Sequence, residues 1–167
     1  MNTVICMSPR RGSCERLTSL IHSRAGFDPV FLREMTFSAC DGCGACDHTG
    51  VCRHEDEAKR LWERIRGGGK TVFVTPLYFC NFPSQAKAFI DRAQAYWQRR
   101  EKCPSRFYLI AVGGRGEENN FASAYLTFRA VCLTAGAEEA GSLYLPEVET
   151  KEDISREYEE KVLKFIE

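Results

Sequence analysis

The sequence predicts one α/β domain over residues 1–167, built as a doubly wound, five-stranded parallel sheet with helices on both faces. Three observations predict it. Short apolar runs rich in β-branched and aromatic residues alternate with stretches of helical periodicity along the whole chain. No repeat, low-complexity tract or linker divides it. A chain of 167 residues buries roughly 70% of its unfolded surface, enough for a core that needs no staples.

Taken in order, TVICM (3–7) is a first strand that ends in SPRRGSC, and ERLTSLIHSRAG places Leu17, Leu20 and Ile21 at helical spacing before a stopping Gly26. PVFLRE (29–34) is a second strand and leads into a cysteine-rich loop. EDEAKRLWERIRGGG (55–69) has acids at its start, bases at its end and terminal glycines, which suits a helix and its dipole. KTVFVTP (70–76) is the clearest buried strand, and SQAKAFIDRAQAYWQRR (84–100) is the amphipathic helix after it. RFYLIAVGG (106–114) repeats the strand pattern, residues 121–135 the helical one. GSLYLP (141–146) is a last short strand and EDISREYEEKVLKFIE (152–167) a closing helix.

Charge and composition exclude several functions. Lys plus Arg equals Asp plus Glu at 23 each, so no overall charge draws the protein to nucleic acid or acidic lipid. No apolar run reaches the ~18 residues of a membrane helix, and MNTVICMS lacks a basic segment ahead of an apolar stretch, so a cytoplasmic protein is expected. Nine cysteines cannot all pair within the chain, and in a reducing compartment clustered thiols bind metal or do redox chemistry. The three histidines, His22, His48 and His54, have no partners that the sequence can place, so no hydrolytic triad is expected.

In such a sheet ligands bind beyond the carboxyl ends of the strands. Three loops leave those ends. SPRRGSC offers the hydroxyls of Ser8 and Ser13, the cations Arg10 and Arg11, a flexible Gly12 and the open amides of a helix start, a set that either cradles a phosphate or makes an ordinary polar turn. It contains neither G-x-G-x-x-G nor a Walker lysine. PLYFCNFP holds Tyr78, Phe79 and Phe82 between Pro76 and Pro83, which suits a flat ring ligand or, equally, a covered sheet edge or oligomer interface. GGRG (113–116) lets backbone approach a ligand closely.

CDGCGACDHTGVC carries Cys40, Cys43, Cys46 and Cys52 at the spacing C-x2-C-x2-C-x5-C. Three occupants compete: a 4Fe-4S cluster, a structural zinc, or free thiols that form disulfides. The spacing favours the cluster, because thiolates two residues apart wrap successive corners of a cubane, whereas structural zinc more often joins two separated pairs. Asp41 and His48 in this loop are expected to be solvated. Cys6 and Cys132 read as small core residues, Cys80 as packing or a redox thiol, Trp62 and Trp97 as core or interface, and Asp91 with Arg92 as an ion pair that fixes the aromatic loop.

Through SPRRGS, the cysteine motif, and PLYF with KAFIDR (87–92), in that order along the chain, most of the sequence resembles the flavodoxin-like NADPH-dependent FMN reductase family and, within it, the iron-sulfur flavoproteins. The resemblance implies FMN with its phosphate near Ser8, Arg10, Ser13 and Cys14, its ring near Pro76, Leu77, Tyr78 and Phe79, and Gly113 and Gly114 on the far side. It also implies a homodimer or tetramer, and an electron donor such as NAD(P)H or ferredoxin. Two positions depart from the family pattern: Met7 stands where glycine is usual, and Cys14–Glu15 where an Asn-Thr pair is usual.

The expected function is that of a flavin-dependent oxidoreductase, NAD(P)H-dependent and FMN reductase-like, whose two-electron flavin works beside a one-electron cluster. Two alternatives stand beside it. One is an NAD(P)H:quinone or flavin oxidoreductase without a cluster; the other is a zinc-stapled or thiol-sensing interaction protein without catalysis.

Overall fold

Five parallel strands form one sheet in the order β2-β1-β3-β4-β5, with β1 at Thr3–Cys6, β2 at Asp28–Phe31, β3 at Gly69–Pro76, β4 at Ser105–Val112 and β5 at Glu138–Leu145. This is the flavodoxin-like order, which reverses direction beside β1. The computed structural model describes residues 1–99, 101–114 and 119–167.

The period-2 alternation of the strands assigns the two faces. Val4, Cys6, Val72, Val74, Tyr108 and Ile110 point to one side, where α1 (Ser13–Ala25) and α7 (Arg156–Ile166) cover them with Leu17, Ile21, Val162 and Ile166. Ile5, Met7, Phe73, Phe107 and Leu109 point to the other. There α3 (Glu57–Arg66), α4 (Ser84–Asp91), α5 (Gln94–Trp97) and α6 (Asn119–Ala135) complete the core with Trp62, Phe89 and Phe128. Trp62 stacks on Phe89 at 4.9 Å and donates its indole N–H to the Phe89 carbonyl. A further short helix, α2 (Ala45–Thr49), lies inside the cysteine loop between Gly44 and Gly50, both in the left-handed region.

Four expected elements change shape. The second strand stops at Phe31 and residues 32–34 turn into a 3₁₀ segment, because this edge strand pairs only with β1, whose own extended run ends at Cys6. The helix expected over 84–100 breaks at residues 92–93, where the Arg92 side chain is drawn inward; Arg100 lies outside the described residues. The fifth strand begins three residues early, at Glu138, across a bulge opposite Phe107 and Tyr108. The closing helix begins only at Arg156, after a 3₁₀ turn over Lys151–Asp153 capped by Thr150.

Candidate functional site

Beyond the carboxyl ends of β1, β3 and β4 lies a cleft of about 750 Å³. Its floor is the start of α1. Gly12 is the N-cap, contributes no side-chain hydrogen bond, and leaves the first-turn amides open, since the first intrahelical bond runs from Arg16 N to Gly12 O. Ser8 Oγ donates to the Arg10 carbonyl and accepts from the Arg10 amide, which holds the turn. The exposed guanidinium groups of Arg10 and Arg11 make no ion pair with any described residue, so two uncommitted cations stand over a helix N-terminus. A Cβ added at Gly12 would meet no protein atom within 4 Å and would project into open space.

The two departures from the family pattern are absorbed by the fold. Met7 is fully buried, its amide bonded to the Val74 carbonyl. Glu15 lines the cleft, and its carboxylate pairs at 3.1 Å with Arg33, which it shares with Glu34. The thiol of Cys14, expected near a phosphate, lies in the core; burial pushes its pKa well up, so it is a neutral packing group. Its side chain does not line the cleft.

Pro76, Leu77 and Tyr78 line the cleft, and Val112, Gly113 and Gly114 line it beside them, Leu77 N being bonded to the Val112 carbonyl. Phe79 is not among the lining residues: it is fully exposed at the tip of a turn. Tyr78 and Asn81 exchange backbone hydrogen bonds around Phe79 (φ 52°) and Cys80 (φ 62°). Two non-glycine residues in the left-handed region store about 1–3 kcal/mol each, which the adjoining strand and Asn81, bonded to Ser123, hold in place. Cys80 is exposed there, its thiol 3.6 Å from Asn120 Oδ1. Cys6 and Cys132 are buried with raised pKa values, as expected of core thiols.

Gly113 and Gly114 owe their small size to the protein itself. A Cβ at Gly113 would lie 2.9 Å from the Tyr144 hydroxyl, and one at Gly114 3.2 Å from Glu149 Oε1. Arg115 and Gly116, the rest of that loop motif, lie outside the described residues.

Sequence reasoning missed the fourth wall. Val148, Glu149, Thr150, Lys151 and Glu152 follow β5 and line the cleft, tied to the β4 loop by bonds from Glu147 N and Val148 N to the carbonyls of Gly114 and Gly113. The rule that selected three loops applied equally to the end of the last strand. Arg16 also lines the cleft, but it is committed to Glu159 and to the Lys151 carbonyl.

Cys40, Cys43, Cys46 and Cys52 line one depression of about 250 Å³ on the flank of α4 and α5. Partial burial raises the Cys46 thiol, and the charges of Asp47, Cys40 and Cys52 act on it in the same direction, so these thiols lie within electrostatic reach of one another. Among the described residues, no three metal-binding side chains lie close enough to hold a single ion. Asp41 is not simply solvated: it is bonded to Arg53, which holds its carboxyl down at about 2, and to the Cys43 amide. His54 Nε2 lies 3.4 Å from the same carboxylate, and His48 is exposed.

The expected Asp91–Arg92 pair does not form. Asp91 bonds Lys87 at 2.6 Å, one turn back on the same helix face, while Arg92 points inward to Asp56 at 2.6 Å. Trp97 is 43% exposed, near Cys103 and Cys132. Among the described residues, no helix is long and apolar enough to cross a membrane.

Residues 3–131 match the family model of the NADPH-dependent FMN reductases. The chain is 32% identical over 97 residues to an iron-sulfur flavoprotein of Methanosarcina thermophila, an alignment that covers 54% of this chain and 51% of that one. It spans about half the length of the curated relatives it matches. Among solved structures, the Trp repressor binding protein from Bacillus subtilis superposes with a TM-score of 0.70 at 16% identity, over 100% of this chain and 98% of that one. An FMN-dependent NADH-azoreductase from Bacillus anthracis, solved with FMN, superposes with a TM-score of 0.64 at 14% identity over 100% of both chains. At such identities these two likenesses establish the fold alone. With the family model covering most of the chain and the cleft in the position a flavodoxin-like sheet prescribes, this chain belongs to the NADPH-dependent FMN reductase family.

Proposed function

We propose that the chain is a flavin-dependent oxidoreductase that binds FMN in the cleft above β1, β3 and β4 and holds a 4Fe-4S cluster on Cys40, Cys43, Cys46 and Cys52. The observation that carries the flavin is the pairing of two uncommitted guanidinium groups, Arg10 and Arg11, with the open amides of α1. A phosphate monoester fits there, and no described residue forms an ion pair with those guanidinium groups. Pro76, Leu77 and Tyr78 are the wall on which a flat ring would lie. When bound, the flavin supplies hydride and electron transfer; the protein binds, orients and shields it.

Two observations support iron-sulfur over zinc. All four cysteines line one depression, and their spacing, C-x2-C-x2-C-x5-C, is not that of the two separated pairs that structural zinc more often joins. A cubane presents four separate iron corners, so its ligands stand apart. That no three metal-binding side chains among the described residues lie close enough to hold one ion supports a second reading, in which the loop holds no metal and the protein is an NAD(P)H:quinone or flavin oxidoreductase. The donor in either case is NAD(P)H, or ferredoxin in the first. A homodimer or tetramer in the cytoplasm is part of the proposal; the exposed apolar residues Phe79, Trp97, Leu126 and Leu133 support assembly.

Anaerobic purification followed by flavin, iron and sulfide analysis tests the reading. About four irons per chain with FMN is expected. FMN without iron, with NADPH oxidation by quinone, would move the function to the second reading. Neither cofactor would sink both.

A further inference from the structure

Arg92 is the one charged residue among those described that is buried, with 1% of its side chain exposed. It leaves the break between α4 and α5, and its two terminal nitrogens are fully used. Nη1 donates to the Ser38 carbonyl at 2.7 Å and to Asp56 Oδ2 at 2.6 Å; Nη2 donates to the His54 carbonyl at 3.1 Å and to Asp56 Oδ1 at 3.1 Å. Asp56 in turn accepts from the amides of Ser38 and Lys59. The acceptors bracket the cysteine loop: Ser38 lies two residues before Cys40, and His54 two after Cys52. One guanidinium therefore closes both ends of the segment that carries all four thiols.

The fifth N–H of this group has no place in that ring. Arg92 Nε is buried and has no hydrogen-bond partner among the described residues, a costly state for a charged donor. Arg92 lines the depression shared by the four cysteines. Cys52 lines the same depression and, with Arg92, a second one beside it, which puts this thiol next to the guanidinium. A neutral thiol is a poor acceptor for such a donor; an anionic sulfur is a good one.

We propose that Arg92 is a positioning residue of the cysteine-loop centre: its two Nη groups pin the loop ends, and its Nε–H donates to anionic sulfur there, the Cys52 thiolate or an inorganic sulfide. The proposal rests on the cluster reading given above. A buried positive charge and a hydrogen bond to sulfur stabilise the reduced, more negative form of a cluster, so Arg92 holds the reduction potential up.

The test uses anaerobically purified full chain in three forms: parent, Arg92→Lys, which keeps the charge, and Arg92→Gln, which removes it. Iron per chain, the reduction potential by dye-mediated titration, the rate of iron loss to a chelator and the melting temperature of the iron-free protein are measured on each. The expected result is a more negative potential in Arg92→Gln than in the parent, with Arg92→Lys between them, and iron loss about 10-fold or more faster in Arg92→Gln. A lower melting temperature with the parent's potential and chelation rate would mean that Arg92 only braces the fold, and would overturn the proposal. Should Arg92→Gln fail to fold, because Asp56 is left unpaired, Arg92→Gln/Asp56→Asn is read in the same way against Asp56→Asn. If the parent holds no iron, the cluster reading itself fails and takes this proposal with it, whereas iron in the parent with three equal potentials sinks the Arg92 role alone.

Discussion

At the carboxyl ends of β1, β3 and β4 the proposed binding groups are backbone amides and glycine-lined turns set directly on hydrogen-bonded strands. At residues 40–52 they are side chains on a loop that pairs with no strand. The cleft is therefore formed before any ligand arrives: Met7 N bonds Val74 O and Leu77 N bonds Val112 O, so each wall continues the sheet ladder. The cysteine loop is shaped by three glycines in the left-handed region, Gly42, Gly44 and Gly50, and by one buried guanidinium at its root. Its thiols share a depression but no common point. Backbone can preorganise a site for a phosphate on its own; closely spaced thiolates repel one another, and a metal bound by them would have to draw them to their final places.

The largest expected effect falls on the less preorganised region. Cys43→Ser replaces a soft thiolate by a hard, poor iron ligand in the middle of the C-x2-C-x2-C wrap, and iron should be lost or become labile. Cys80→Ser lies outside the loop and should leave iron unchanged. Iron per chain, measured anaerobically in both variants, checks the contrast; parent-like iron in Cys43→Ser would remove it as a ligand.

Next comes the cleft. Arg10→Ala should weaken FMN about 10- to 100-fold, the value of one charge-assisted hydrogen bond to a phosphate, with a smaller loss at high salt. Gly12→Ala sharpens the point. Its Cβ meets no protein atom within 4 Å, and its φ of 174° suits any residue, so melting should not change while the added methyl occupies the cradle and weakens FMN. Flavin titration beside thermal melting separates the two; a destabilised Gly12→Ala with normal FMN affinity would place the cradle elsewhere.

Acid should release the cysteine loop before the cleft. Burial raises the Asp56 carboxyl, but bonds from Arg92, Lys59 and Ser38 outweigh it and hold the pKa below the ordinary carboxylate value. A carboxyl depressed in the folded state contributes its stability in full above about pH 4 and loses it as the pH falls through the folded value. Hydrogen exchange in residues 38–56 should therefore rise below about pH 4, while β3 and β4 stay protected. In Asp56→Asn that acid step should be missing.

The smallest effect is expected at the strained turn. Cys80→Gly gives the left-handed position the residue that suits it and should stabilise the protein by about 1 kcal/mol without changing iron content. A lower melting temperature would show that the Cys80 side chain, beside Asn120, contributes more than its backbone costs.

Much of the fold was legible because it is local. Apolar residues at period 2 or 3.6 define strands and helices one segment at a time, and glycines mark their ends. The misread elements are those whose ends depend on a distant partner. The second strand stops where β1 offers no further pairing, and the helix over 84–100 breaks where Arg92 turns inward. The cleft was partly legible for a similar reason: the rule that ligands sit beyond strand ends located the loops at Ser8–Ser13, Pro76–Tyr78 and Gly113–Gly114, but Glu149 to Glu152 escaped because the last strand was not treated alike.

What the sequence determined by itself is the alternation of strand and helix, the cationic glycine turn at the start of the first helix, and the four closely spaced thiols; each is a pattern within a few neighbouring residues. Only the tertiary structure decided that Glu15 pairs with Arg33, that Tyr144 and Glu149 occupy the space Gly113 and Gly114 leave, that Phe79 is exposed and does not line the cleft, and that Arg92 joins Ser38, His54 and Asp56. These are pairings between residues 18 to 54 positions apart or choices of side-chain direction. Periodicity says which face of an element is apolar; it does not say which buried charge meets which, because that depends on how the elements pack.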